Sequence, residues 1–155
     1  LNACALDRCL KKAMDMIGWK EKGIVRDMGD KMRGLGVALS MQGSGIANVD
    51  IASVIIKLQD DGFYTLAIGA TDMGTGCDTI LAQMAAECLE CDVDQIVTQG
   101  VDTDASPYDT GSYASATTYV TGMSVVKACE VLKKQIIEEA AVLMEVEKEH
   151  ISFDG

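Results

Sequence analysis

The chain has 155 residues, with 24 acidic against 13 basic side chains and a net charge of −11. That balance excludes a nucleic-acid surface, which needs clustered Lys and Arg to meet phosphates, and reads as a solvated acidic surface. A hydrophobic fraction of 48% with a single proline, Pro107, is enough to fill one domain over residues 1–155 and is not a disordered composition.

Residues 4–17 read as an amphipathic helix, with Leu6, Cys9, Leu10, Ala13 and Ile17 on one face and Gly18 suited to its C-terminal end. The charged, glycine-punctuated segment 19–31 reads as a connection. From Arg33 the period becomes two: Leu35, Val37 and Leu39 alternate with Gly36, Ala38 and Ser40, which predicts a strand. Gly43-Ser44-Gly45 interrupts it, and Met41–Gly45 is open to reading as a bulge or as a ligand loop, with Gln42 able to face a heterocycle edge. Strands at 52–59 and 63–68 flank Asp60-Asp61-Gly62, a strong hairpin turn. A helix follows over 77–89, marked by Ile80, Leu81, Met84, Ala85 and Cys88, then a short strand at 95–98 and a polar loop at 100–111. A last long helix runs from about Tyr113 to about Val146, with Val125, Cys129, Leu132, Ile136, Ala140 and Leu143 as its buried stripe and Gly122 as a point of close packing. The order predicts an α+β fold: a mixed or antiparallel sheet containing a β-hairpin, with helices packed on one side.

The cysteines Cys4, Cys9, Cys77, Cys88, Cys91 and Cys129 match no zinc-ribbon spacing, and Cys88 sits in an apolar helical pattern that suits a buried thiol. Reduced cysteines and the lack of a signal sequence point to the cytoplasm. No run of about 18 apolar residues is present to span a membrane. The chain begins without Met and directly in a helical pattern, which reads as a piece of a longer subunit.

Two segments could hold a ligand. Gly74-Thr75-Gly76 stands at the mouth of the helix at 77–89, where unpaired amides and the helix dipole favour an anion; from the residues alone a tight structural turn is the favoured reading. Thr110–Thr118 is dense in hydroxyls where the long helix begins, and Ser112, Ser115 and Thr117 could donate to phosphate or pterin oxygens, or one of them could simply cap the helix. Asp102, Asp104 and Asp109 do not reproduce a calcium loop and read as solvated or loop-capping residues. The lone histidine, His150, has no nucleophile or carboxylate partner in sequence. The residues alone name no catalytic group and no metal ligand.

The segment TDMGTGCDTILAQMAAE at 71–87 resembles the xxMGQGxxTxxxQxAAE segment of the molybdenum-cofactor-binding large subunit in the xanthine dehydrogenase and aldehyde oxidoreductase family. DTDASPYDTGSYASATTYVTGMSVVKAC, from Asp102, and RGLGVALSMQGSGI, from Arg33, resemble further segments of the same subunit, so the likeness covers 33–132. It implies that the chain is part of the molybdopterin-binding region of an oxidoreductase hydroxylating a heteroaromatic or aldehyde carbon with oxygen from water. Residue by residue, it implies that Gly74, Thr75 and Gly76 meet the pterin, with Thr75 standing where the family has a longer glutamine. Tyr113 and Ala114 match a pair of small residues beside the metal end, Tyr113 being larger than the usual alanine. Ser115, Ala116, Thr117 and Thr118 match the run that holds the pterin phosphate. The family's glutamate base lies in a Gly-x-Gly-Glu setting that this sequence lacks, so the isolated chain is expected to be inactive and to hold no cofactor alone. The implied partners are the remaining large-subunit domains and the modules carrying iron–sulfur clusters and FAD. The alternatives are a cofactor-free acidic scaffold or interaction domain, and a split subunit of a hydroxybenzoyl-CoA reductase-like enzyme.

Overall fold

The computed structural model describes residues 4–43 and 49–154. Ser44 and Gly45, half of the expected ligand loop at 41–45, lie outside these residues. Where the sequence reads as one domain, the contacts group into two compact units, Leu1–Met41 and Gln42–Gly155.

In the first unit, helix α1 (Leu6–Ile17) ends at Gly18, whose left-handed backbone (φ 68°) lets its amide reach back to Asp15 O at 3.1 Å. The expected apolar stripe is present but uncovered: no residue of α1 is buried. The segment expected as a plain connection instead forms a short helix α2 (Trp19–Lys22) and strand β1 (Val25–Asp27). The strand expected over 33–40 is reduced to β2 (Met32–Gly34), antiparallel to β1 with Arg26 opposite Arg33. Alternation alone cannot make a strand without a hydrogen-bonding partner; the Leu35 amide donates to Ile24 O at 2.8 Å, but among the described residues no ladder continues over 36–40, where Val37 and Leu39 stay exposed.

In the second unit, β3 (Val54–Leu58) and β4 (Tyr64–Ile68) form the predicted hairpin, with Val54 opposite Ile68 and Leu58 opposite Tyr64. Gly62 supplies the positive φ (85°) of the turn, and Asp61 accepts the Phe63 amide at 3.1 Å. Helix α3 (Cys77–Leu89) crosses to β5 (Ile96–Gln99), which runs parallel to β4 with Tyr64 opposite Ile96. The sheet is therefore mixed, in the order β3-β4-β5. Helix α4 (Thr117–Met144) follows.

The core forms where α3 and α4 cover one face of β4. Tyr64, Leu66 and Ile68 point into it in alternation and meet Leu81, Ala85 and Leu89 of α3 and Val125 and Cys129 of α4. Each large side chain buried here is worth about 1.5–3 kcal/mol in transfer from water. Gly122 permits the close helix contact its position predicted: a Cβ there would fall 2.7 Å from the Met84 sulfur. The α4 stripe is buried or half-buried through Ile136, but Leu143 is exposed and Ala141 is buried in its place. Among the described residues no helix is long and apolar enough to cross a membrane.

Candidate functional site

The carboxyl ends of β4 and β5, adjacent and parallel, feed the loops at 69–76 and 100–116. Each loop leads into a helix. Leu81 and Met84 of α3 meet Gly122 of α4, the Cys88 thiol reaches Val126 O at 3.8 Å, and Glu90 pairs with Lys133. These contacts rise in step along both helices, so α3 and α4 run in the same direction and present their N-termini at one end. Ser112 ties the two loops together there: its hydroxyl donates to Thr71 O at 3.0 Å and accepts the Thr71 amide at 3.3 Å. The outer ends of parallel strands are where α/β sheets place ligands.

The glycine loop holds an anion, and the anion is its own. Asp72 Oδ1 accepts the amides of Gly74, Thr75 and Gly76 at 2.8, 2.9 and 3.1 Å. Gly74 (φ 100°) and Gly76 (φ 74°) take left-handed conformations that turn these amides inward. The amide bonds, led by that of Gly74, hold the Asp72 carboxyl below its ordinary range. A group whose folded pKa is depressed contributes stability above its unfolded pKa and loses it as pH falls through the folded value. Hydrogen-exchange protection of the Gly74–Gly76 amides is therefore expected to persist below the usual carboxylate midpoint and to vanish at all pH values in Asp72→Ala, which removes the acceptor oxygen. Protection unchanged in Asp72→Ala would show that the carboxylate does not hold the loop. Sequence reasoning missed Asp72, although an aspartate two residues before a glycine run is the signal for such a turn.

Among the described residues, Asp72, Cys77 and Asp78 bring ligand atoms within 4.8 Å of one another. Three amide donors and the positive end of α3 surround them, and burial pushes the Cys77 thiol up, so the position suits negative charge rather than a cation.

Helix α4 begins at Thr117, later than the expected start near Tyr113, because Ala114 (φ 51°) and Ser115 (φ 57°) are both left-handed and break the helical path. Each costs an L-residue roughly 1–2 kcal/mol. Ala114 and Ala116 are buried, Thr117 is half-buried, and Ser115 and Thr118 are exposed. No side chain caps this helix and no acidic residue lies in its first turn. The hydroxyl density is thus not spent on ordinary capping.

The segment before it is pinned from several sides. Asp109 accepts the Gly111 amide at 2.8 Å and, with its other oxygen, the hydroxyl of buried Thr121 at 3.0 Å. The Ser53 amide donates to Tyr108 O at 2.9 Å, and Asp102 accepts the Asp104 amide at 2.9 Å, so two of the three loop aspartates cap turns as expected. Gly69 is fitted against this segment: a Cβ there would lie 2.3 Å from Pro107 O. The Tyr113 hydroxyl donates to Asp50 at 2.7 Å, a bond that pushes the phenol above its ordinary pKa. Thr121 and Asp50 were not singled out by sequence, nor was the bond from Thr121 to Asp109, because partners 12 and 63 positions apart leave no local pattern.

The sequence pattern of the family described as molybdopterin cofactor-binding domain matches residues 10–155. A protein of Escherichia coli K12 named probable hypoxanthine oxidase is 37% identical over 142 residues, covering 92% of this chain and 15% of its own length. The xanthine dehydrogenase molybdenum-binding subunit of Escherichia coli O157:H7 is 33% identical over 149 residues, covering 93% of this chain and 20% of its own length. The solved structure of reconstituted CO dehydrogenase from Oligotropha carboxidovorans has a TM-score of 0.63 at 28% identity, over 67% of this chain and 13% of that one.

Proposed function

The chain belongs to the molybdopterin cofactor-binding domain family of the molybdenum hydroxylases, and we propose that it supplies one wall of the cofactor site in a xanthine dehydrogenase-like oxidoreductase. The reaction is hydroxylation of a heteroaromatic or aldehyde carbon with oxygen from water. When bound, the cofactor supplies the redox chemistry at its molybdenum, and iron–sulfur and FAD modules elsewhere carry the electrons away. The enzyme works in the cytoplasm.

The residues fit an anionic pterin substituent at the start of α4. Ser115, Thr117 and Thr118 carry hydroxyl donors at a helix N-terminus that has neither a side-chain cap nor an acidic residue in its first turn. This is the observation that carries the reading. At Gly74-Thr75-Gly76 the fit differs, since Asp72 already takes the amides. There the loop contributes its Cα surface and the Thr75 side chain, and its role is to shape the wall rather than to bind charge. Tyr113 and Ala114 border the metal end, with Tyr113 held by Asp50. This chain's own task is to bind and orient; the glutamate base and the facing wall come from other parts of the enzyme, so the isolated chain does not turn over.

Full-length protein made in a cofactor-producing host is expected to carry molybdenum and pterin in stoichiometric amounts and to oxidise such substrates. The 155-residue chain made in the same host is expected to carry little cofactor and to show no turnover. Full-length protein free of both metal and pterin would defeat the reading in favour of a cofactor-free scaffold.

A further inference from the structure

The two-stranded sheet of β1 and β2 sets Arg26 directly opposite Arg33. Side chains opposite each other in an antiparallel pair leave the same face with Cβ atoms about 4.5–5.5 Å apart, and like charges there destabilise the pairing. Strands of three residues each have little stability of their own to offset that repulsion. Strand alternation turns the neighbouring Asp27 to the other face, and one of its oxygens accepts the Gly29 amide at 2.8 Å.

Among the described residues the ion pairs are Lys133 with Glu90 and Lys134 with Glu138, and neither arginine joins one. Arg26 is half-buried, and its Nε is shielded from solvent without an acceptor. Every aspartate and glutamate of the sequence lies among the described residues, so no undescribed carboxylate side chain is left to pair with them. A buried donor without an acceptor costs free energy. A guanidinium fork fits a carboxylate through two parallel hydrogen bonds.

Of the 13 basic side chains, eight lie in Leu1–Met41, which holds five of the 24 acidic ones. This unit is cationic within an acidic chain, so a surface complementary to it is acidic. The chain spans 15% and 20% of the length of two relatives that it matches over 92% and 93% of its own. Most of each relative's polypeptide therefore lies outside the matched part.

We propose that Arg26 and Arg33 dock a carboxylate-bearing segment of the remaining large subunit, one Asp or Glu side chain lying between the two guanidinium groups. That carboxylate cancels the cross-strand repulsion, gives the Arg26 Nε its acceptor and ties the first unit to the rest of the protein. This docking requires that the chain be part of such a subunit, as proposed above, and makes no use of the cofactor.

The test is cross-linking of the full-length protein with a water-soluble carbodiimide, which joins an amine to a carboxylate in contact with it, read by mass spectrometry of the digest. Arg26→Lys and Arg33→Lys, made separately, each place an amine on this face and keep its charge. At least one is expected to gain a cross-link from the substituted position to an Asp or Glu outside the 155 residues, absent from the unmodified protein. Lys133 joined to Glu90 in the same digest shows that the reagent has acted and the fold is intact. With that control present, no new cross-link from either position would overturn the proposal. Cross-links only to carboxylates within the 155 residues would overturn it too. Molybdenum in the same samples separates the two readings: a full load without the cross-link defeats the docking alone, and the cross-link without metal or pterin defeats the cofactor reading alone.

Discussion

Thr118→Asp is expected to raise the stability of the protein while emptying it of cofactor. Thr118 is exposed in the first turn of α4, a 28-residue helix whose first turn holds no acidic residue. A carboxylate placed there meets the positive end of the helix and stabilises it by about 0.3–1 kcal/mol. If α4 receives an anionic group of molybdopterin, the same carboxylate repels it and removes a hydroxyl donor. Losing a hydrogen bond to a charged group costs roughly 1.5–3 kcal/mol, which is about ten- to a hundredfold in occupancy. Molybdenum per polypeptide in the full-length protein, set beside the thermal midpoint, separates the two effects. Thr118→Lys should reverse both signs, lowering stability and retaining the metal. A Thr118→Asp protein that is more stable and fully loaded would show that the start of α4 is only a helix end.

The second large effect is in the core. Leu81 of α3 is fully buried between the sheet and α4, and Leu81→Ala is expected to cost about 2–5 kcal/mol, the lost transfer free energy plus the cavity left behind. Leu6 of α1 sits in an equally regular helical stripe but is 54% exposed. Leu6→Ala should therefore stay within about 0.5 kcal/mol. Urea denaturation of the two variants side by side measures the difference. A loss at Leu6 comparable to that at Leu81 would mean that the α1 stripe is covered in solution.

The contrast between Leu6 and Leu81 marks how far sequence reasoning reached. Local rules are carried by residues close in the chain, and these were legible. The Asp60-Asp61-Gly62 turn specified the β3–β4 hairpin, the spacing of Leu81, Ala85 and Cys88 specified α3, and Gly18 specified the end of α1. The resemblance of 71–87 and of the segment from Asp102 located both loops of the candidate site.

Tertiary structure decided which patterns were used. Leu35, Val37 and Leu39 alternate as a strand does, yet beyond the bond from the Leu35 amide to Ile24 O no backbone pairing among the described residues carries the strand on. The Gly74–Gly76 amides looked available for a ligand, and only the folded loop shows that Asp72 takes them. Ser112, Ser115 and Thr117 read either as donors to phosphate or pterin oxygens or as one ordinary helix cap, and only the folded chain shows a left-handed turn at Ala114 and Ser115 and a helix that no side chain caps. The sequence determined the family, the hairpin and the chemical types present in each loop. Which amides and hydroxyls remain for a partner was settled by contacts such as Thr71–Ser112 and Asp109–Thr121, because a hydrogen bond between residues far apart in the chain has no periodic trace in it.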